Sequence, residues 1–214
     1  VVEAQKGIAD PVLQKALVCR QDRYGRGAAE AYRRLPEGPE LRLTAHAIRE
    51  KAIENLDLLL ETLAAKIRGN GGQVYFAETA QEAVDYCLAV ARRNHVRRVV
   101  KGKSMVTEEI GLNPALEAAG IEVIETDLGE YIIQLAGETP SHIIAPAIHK
   151  TRHEIADLFV RKLGIRRTTH PPELTQAARQ ALREKFLTAD MGTSGCNQAC
   201  AETGHITTVS NEGN

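Results

Sequence analysis

The sequence lacks both the long apolar run and the excess of one charge that would associate it with a membrane or a nucleic acid. No apolar run approaches the roughly 20 residues of a membrane span, and no charged start leads into an apolar secretory segment. The formal net charge is −1 with 26% charged residues, which indicates neither a nucleic-acid partner nor an acidic substrate. These absences predict a cytoplasmic protein with no membrane span.

Cysteine is also scarce, and four scattered residues do not form the pattern of a disulfide framework. Cys196 and Cys200 alone lie close together, with the spacing C-x3-C. Sequences that bind iron–sulfur clusters need a further cysteine shortly afterwards, and Thr203 stands at that position. The sequence therefore predicts no cofactor, no metal and no complete iron–sulfur site within this chain.

The length of 214 residues and the hydrophobic content of 43% suit one large domain, or one domain with an appended arm. Residues 1–40 are charged and interrupted by proline and glycine, which predicts an N-terminal helical arm. Within it, a short helix is predicted near residues 11–20, and a helix or a loose arm near residues 27–34. The arm either docks to a partner or packs on its own domain. Residues 41–214 are predicted to form an α/β domain.

Within the α/β domain, apolar spacings of three and four predict the longest helix over residues 41–68. Strand-like and helix-like segments alternate after it, which indicates an open, mostly parallel sheet flanked by helices. Strands are predicted at residues 73–77, 96–100, 121–124, 141–147 and 205–210. Helices are predicted to begin after Thr79, after Ser104, at Glu130, at Thr151 with a capping box to Glu154, and at Pro171. A loop of small residues at 191–204 would give a ligand or a strand close access to the backbone.

Charged and hydroxyl side chains are concentrated directly after two predicted strands. Lys101, Lys103, Ser104 and Thr107 follow the strand at 96–100, and Glu125, Asp127 and Glu130 follow the strand at 121–124. In open parallel sheets, the loops at the carboxyl ends of the strands form the ligand crevice. Two lysines near a helix start favour a carboxylate or phosphate, and clustered acids can share acid–base roles or hold a divalent cation. Alternatively, these residues are helix caps and ion-pair partners, with Glu108 and Glu109 as internal partners of the lysines.

Two other motifs suggest phosphate or metal binding, and each lacks a residue that its full pattern requires. The segment 102–104 resembles the end of a phosphate-binding P-loop, but that motif requires glycine where Arg97 stands. His149 and His153 are four residues apart and could share a metal, although the zinc-protease pattern needs glutamate where Lys150 stands. His149 and Lys150 remain candidate polar ligands at a strand end.

The sequence resembles the lactate-utilisation (LUD) domain family from about residue 9 to its last residue. The resemblance is strongest in KGKSMVTEEIGLNPALEAAGIEVIETDLGEYIIQLAGETPSHIIAPAIHKTRHEIADLF, and it includes the NGG of residues 70–72 and AETG…NEGN at 201–214. The resemblance is greatest to the iron–sulfur subunit of a bacterial lactate-oxidising system. It implies a fold like that of glucosamine-phosphate deaminase, ribose-phosphate isomerase and coenzyme A transferases. It also implies that a full-length parent binds 4Fe-4S clusters in a carboxyl-terminal region with ferredoxin-type motifs, which this chain lacks.

The same resemblance carries over site candidates in five segments, at residues 101–109, 125–131, 149–151, 202–204 and 211–214. Beyond the residues already named, it adds Thr203, Gly204, Asn211 and Glu212 as ligand-binding candidates. Glu202 is the candidate nucleophile or base. Because the chain stops in a turn where an open sheet would normally continue, we expect the α/β domain to be truncated at its carboxyl end.

Two functions of different classes follow from these observations. In the first, the chain is the non-cluster domain of an electron-transfer subunit and docks to the other subunits of a complex that oxidises L-lactate to pyruvate. In the second, it binds an anionic small molecule, a carboxylate or phosphate metabolite, with or without chemistry like that of its fold relatives. The sequence holds no self-contained catalytic motif, so the resemblance assigns the chain to an oxidoreductase system without making it an enzyme by itself.

Overall fold

The computed structural model describes residues 2–210, without the side chains of residues 2–4 and 6. The chain divides into two compact units. Unit 1 comprises Val1–Val74 with Ala199–Ile206, and unit 2 comprises Tyr75–Gln198 with Thr207–Asn214. No helix in the described part of the chain is both long and apolar enough to span a membrane.

The described residues of unit 1 before Val74 form the helices α1 (Val2–Ala9), α2 (Pro11–Arg34), α3 (Gly38–Glu54) and α4 (Leu56–Gly69). The carboxylate of Asp10 caps α2 by accepting hydrogen bonds from the backbone N–H groups of Val12 and Leu13. The predicted separation into helices at 11–20 and 27–34 is wrong, because α2 is continuous between them. The predicted helix over 41–68 is instead two helices, α3 and α4, which meet at Asn55.

Unit 2 contains a three-stranded parallel sheet. Its strands are β1 (Arg98–Lys101), β2 (Glu122–Glu125) and β3 (Met191–Thr193), in the order β2-β1-β3. Val99 of β1 lies opposite Val123 of β2 and opposite Met191 of β3. The predicted α/β class with a parallel sheet flanked by helices is confirmed, and the strands predicted at 96–100 and 121–124 are present with bounds shifted by one or two residues.

In the described part of unit 2, the sheet is accompanied by the helices α5 (Ala80–Arg93), α6 (Met105–Glu109), α7 (Leu112–Ala118), α8 (Leu128–Ala136), α9 (Arg152–Leu163) and α10 (Pro171–Leu187). Val99 and Val123 pack with the buried Leu116 on one face of the sheet. Val100 and Ile124 pack on the other face with the buried Phe159. Because successive strand residues point to opposite faces, this division gives the sheet a core on both sides.

Two predicted strands are wrong. Residues 73–77 pair with no strand, and Tyr75 instead stacks on Tyr86 of α5 with ring centroids 4.2 Å apart. Residues 141–147 form turns, in which Ser141 N–H donates to Pro146 O and the ring of His142 accepts from the N–H of Ile144. These local hydrogen bonds take the place of a strand ladder.

The third strand of the sheet lies in the segment predicted as a loop of small residues. Gly102 N–H donates to Thr193 O at 2.8 Å, which continues the pairing beyond β1. Asp190 fixes the start of β3, since one of its carboxylate oxygens accepts from the N–H groups of Arg97 and Arg98. Two further strands, β4 (Gln198–Cys200) and β5 (His205–Thr207), form a separate two-stranded sheet. The predicted strand at 205–210 is present as the shorter β5.

Candidate functional site

A buried ion pair joins the carboxyl ends of β1 and β2. Lys101 Nζ lies 3.0 Å from Glu125 Oε1, and the two side chains are 0% and 8% exposed. The two residues are register partners on adjacent strands, so their side chains leave the same face of the sheet. Asn113 of α7 donates from Nδ2 to the same Oε1 at 2.6 Å. The pair is therefore held from the sheet and from one covering helix.

Several polar atoms around this pair are buried without a hydrogen-bond partner, although buried polar atoms normally have one. Among the described residues, Lys101 Nζ meets no acceptor in hydrogen-bonding geometry, and Glu125 Oε2 and Asn113 Oδ1 have no partner. Burial raises the pKa of Glu125, although the charge of Lys101 and the hydrogen bond from Asn113 act in the opposite direction. The carboxyl group of Glu125 is consequently more easily protonated than an ordinary glutamate.

A second ion pair lies next to the first. Lys103 Nζ is 2.6 Å from Glu130 Oε1, with Lys103 24% and Glu130 5% exposed. Glu108 of α6 is close to both pairs: burial and the charge of Glu130 raise its pKa, while Lys101 and Lys103 act to lower it. We call the five residues Lys101, Lys103, Glu108, Glu125 and Glu130 the acid–lysine cluster. If all are ionised, its carboxylates outnumber its ammonium groups by one.

A cavity of about 440 Å³ opens at the carboxyl edge of the sheet, with Lys103 in its wall. Its lining comes from residues 102–106 after β1, Asp127 after β2, residues 194–197 after β3, and the segment 208–210, together with Ile143 and Ile144. All of these residues belong to unit 2. The cavity therefore occupies the position that open parallel sheets use for ligands, outside the carboxyl ends of their strands.

The candidates from the loops after β1 and β2 are brought together. Lys103, Ser104 and Asp127 line the cavity. Ser104 caps α6 by accepting from Thr107 N–H at 3.4 Å, and Asp127 caps α8 by accepting from Gly129 N–H at 3.0 Å. Lys101, Glu125 and Glu130 do not appear in the cavity lining and lie in the buried part of the cluster.

His149 and Lys150 lie at a different place in unit 2. His149 Nε2 is 2.8 Å and Lys150 Nζ 2.6 Å from the two carboxylate oxygens of Glu138. Hydrogen bonds from Lys150 and then from His149 lower the pKa of Glu138. Lys150 and Glu138 also line a smaller cavity of about 230 Å³, shared with Glu154, Asp157 and Arg161. These contacts join residues on both sides of the turns at 141–147.

The remaining candidates lie in unit 1 or outside the described residues. Glu202, Thr203 and Gly204 form the turn between β4 and β5, where Thr203 O accepts from Asn70 Nδ2 at 3.0 Å. Gly204 has φ +78°, and a Cβ there would lie 2.9 Å from Lys66 Cβ. Asn211 and Glu212 lie outside the described residues.

Sequence reasoning did not single out Asn113, the apolar pair Ile143 and Ile144, or the segments 194–197 and 208–210. The small residues at 191–204 had indicated close access of a ligand to the backbone, and part of this loop does line the cavity. Nothing in the sequence marked Asn113, whose place opposite Glu125 depends on how α7 crosses the sheet.

The donor set of the chain does not fit an iron–sulfur cluster. Across residues 2–210, no group of three or more His, Cys, Asp or Glu side chains could hold a metal ion. Cys19, Cys87, Cys196 and Cys200 are free thiols, whereas a 4Fe-4S cluster is held by four cysteine thiolates in one place.

Unit 2 is an α/β domain with a cavity at the carboxyl edge of its parallel sheet, and comparison with known proteins gives the family. The model of the LUD domain family matches residues 60–214. The chain belongs to this family. No solved structure matches the chain.

Curated relatives are similar over nearly the whole chain. It is 48% identical over 207 residues to "Uncharacterized electron transport protein YkgF" of Escherichia coli, covering 97% of this chain and 44% of that protein. It is 46% identical over 209 residues to "Lactate utilization protein B" of Bacillus licheniformis, again covering 97% and 44%. For "Lactate utilization protein B" of Geobacillus sp. WCH70, the identity is 48% over 203 residues, covering 94% and 43%. The chain thus spans less than half the length of each of these relatives.

Proposed function

We propose that this chain acts in L-lactate oxidation as the LUD domain of an iron–sulfur electron-transfer subunit. The proposal rests on the identity of 46–48% with proteins named for lactate utilization and electron transport. The similarity extends over 94% or more of this chain in these relatives. Because so little of the sequence is left outside the match, the chain and the matching part of the relatives are expected to have one common role.

In this proposal the chain provides structure and docking, and the clusters are held by residues of a longer protein. The chain's four thiols are distributed over both units and form no cluster site within the described residues. Unit 1 supports a docking role, because α2 buries none of its residues and large apolar side chains such as Leu43, Ile53 and Leu58 are exposed. Exposed apolar surface of this kind is typical of protein–protein contacts. The partners in this proposal are the other subunits of a lactate-oxidising complex.

A chimera tests the proposal directly. In a Bacillus licheniformis strain lacking lactate utilization protein B, the matching part of that protein would be replaced by this chain while the rest is kept. We expect growth on L-lactate as the sole carbon source to be restored, with growth on glucose as the control for general fitness.

The chimera must also be purified and its iron content compared with that of the natural protein. A chimera that is produced, binds the natural amount of iron and still gives no growth on L-lactate would contradict the proposed role. A chimera with no iron is redesigned at its junction until its iron content equals that of the natural protein, and growth is then scored.

A further inference from the structure

The cavity at the carboxyl edge of the sheet has the dimensions and the mixed lining of a small-molecule site. Its volume of about 440 Å³ falls within the roughly 300–1,000 Å³ typical of ligand pockets. Met105, Val106, Ile143 and Ile144 supply apolar side chains to its lining. The same lining includes hydroxyl and amide side chains, those of Ser104, Ser194, Asn197 and Thr208. A ligand that fits this lining has an apolar body and a polar end.

Lys103 sets the charge of that polar end. Among the described residues that line the cavity, it is the one cation, and its ammonium group has three hydrogens to donate, whereas the contact with Glu130 at 2.6 Å uses one. The one acid in the described part of the lining is Asp127, and its Oδ1 accepts from Gly129 N–H as the cap of α8. Lys103 is therefore the charged group best placed to bind a ligand in the cavity, and it selects for negative charge.

Two glycines in the lining add an independent observation. Gly102 and Gly195 both border the cavity, and neither has the positive φ that would require glycine. A Cβ at Gly102 would meet its nearest neighbour at 3.8 Å, and one at Gly195 at 3.6 Å, so both positions have room for a Cβ at ordinary van der Waals distance. The absence of side chains there keeps the cavity open and its backbone accessible, which is how glycine admits a ligand close to the chain.

We propose that this cavity binds a small organic anion, a carboxylate or a phosphate ester with an apolar body, whose charged group accepts hydrogen bonds from Lys103. The apolar body contacts Val106, Ile143 and Ile144, and the hydroxyl side chains of the lining orient the charged group. The proposal does not depend on the role in lactate oxidation, because it is drawn from the lining of the cavity alone.

Isothermal titration of the 214-residue chain with three matched probes tests this inference. The probes are 4-methylpentanoate, 3-methylbutyl phosphate and the neutral 4-methylpentan-1-ol, which differ in the charged group and have similar apolar bodies. We expect saturable binding of at least one anion and none of the alcohol. Binding of the carboxylate alone or of the phosphate alone identifies which of the two head groups the cavity takes.

Lys103→Ala should weaken anion binding by about tenfold or more, because a hydrogen bond to a charged group contributes about that much to affinity. The matched control is Lys150→Ala, since Lys150 also contacts a glutamate at 2.6 Å but lies outside this cavity. Affinity in the control variant should equal that of the unaltered chain.

A second variant separates binding from folding. Lys103→Ala leaves the buried Glu130 without its partner and can unfold the chain, whereas Ile144 is 71% exposed and its replacement does not disturb the core. Ile144→Asp adds negative charge to the cavity lining and should also weaken binding of the anion. The inference is overturned if neither anion binds to the folded chain, if the alcohol binds as tightly as the anions, or if folded Ile144→Asp binds with unchanged affinity.

Discussion

Lys101 and Glu125 are register partners at the ends of adjacent parallel strands, and their charged groups meet 3.0 Å apart inside the protein. Taking each ion out of water costs several kcal/mol, which the attraction between them offsets only while both are present. Each of the two residues therefore destabilises the fold when its partner is removed.

Lys101→Ala should consequently destabilise unit 2 strongly. It leaves the carboxyl group of Glu125 buried without an opposing charge, and loss of one member of such a pair costs roughly 3–5 kcal/mol. Urea unfolding followed by circular dichroism gives the free energy of unfolding. Lys150→Ala is the control, because its partner Glu138 is 42% exposed and such pairs contribute only about 0–1 kcal/mol. Equal losses in the two variants would contradict this account.

The capping box at the start of α9 gives a smaller and more local effect. Thr151 Oγ1 accepts from Glu154 N–H at 3.3 Å, and Glu154 Oε2 accepts from Thr151 N–H at 2.7 Å. Thr151→Ala removes the cap and should lower the free energy of unfolding by about 1 kcal/mol. The comparison is Thr175→Ala, an exposed threonine within α10 that caps no helix. A Thr175→Ala loss as large as that of Thr151→Ala would show that the cap is not the cause.

Two glycines of unit 1 should respond to alanine with opposite signs. At Gly204, φ is +78° and the new Cβ would lie 2.9 Å from Lys66 Cβ, so we expect a loss of stability of about 1–3 kcal/mol. At Gly25, inside α2, nothing lies within 4 Å of the new Cβ, and alanine should raise helix stability by about 0.5–1 kcal/mol. Thermal unfolding of both variants measures the difference, and a shift of the same sign in both would refute the argument.

The contact of Glu138 with Lys150 and His149 makes the free energy of unfolding depend on pH in the acidic range. Because the folded pKa of Glu138 lies below its ordinary value of 4.5, its contribution is present above that pH and is lost as the pH falls through the folded pKa. Glu138→Gln should therefore weaken the fall of stability below pH 4.5. Urea midpoints measured from neutral pH to about pH 3 give the dependence. An unchanged acid slope in the variant would show that this contact does not titrate.

The acid–lysine cluster should make anion binding stronger at lower pH. Glu108 faces Lys101, Lys103, Glu125 and Glu130, and the pKa values of Glu108 and Glu125 are raised mainly by burial. As the pH falls through these raised values, the cluster takes up protons and repels an anion at Lys103 less. Glu108→Gln should raise the affinity at neutral pH by roughly twofold to tenfold and reduce its pH dependence. Titration with 4-methylpentanoate, at several pH values at which this probe is itself ionised, measures both, and weaker binding in Glu108→Gln would contradict the electrostatic argument.

The sequence was sufficient to predict those elements whose own residues carry the signal. The β1 and β2 runs and the capping box of α9 are of this kind. The strand Met191–Thr193 could not be predicted, because three residues with Gly192 at the centre have no apolar periodicity and pair with β1 only through the fold. The segment 141–147, with its short apolar run at residues 143–145, predicted a strand, but this segment instead forms local hydrogen bonds to Pro146 O and to the His142 ring.

The candidate site also has some features that local sequence predicts and others that depend on tertiary packing. Because loops after parallel strands meet at one edge of the sheet, the sequence predicted that Lys103, Ser104 and Asp127 lie near one another at this edge. In the structure, all three line the cavity. It could not show that Lys101 would be fully buried against Glu125, since burial depends on the helices that cover the sheet. His149 and Lys150 followed a predicted strand that is absent, and they contact Glu138 instead.

The pairing of β3 with β1 determines when the sheet can be completed during synthesis. β1 and β2 are made early, but the second neighbour of β1 is Met191–Thr193, which leaves the ribosome after α6 to α10. Until then, one edge of the central strand has unpaired N–H and C=O groups, a template for pairing with other chains. A nascent chain halted after α10 would carry this open edge, so β3, the last made of the three strands described in this sheet, is the one that covers the free edge of the central strand.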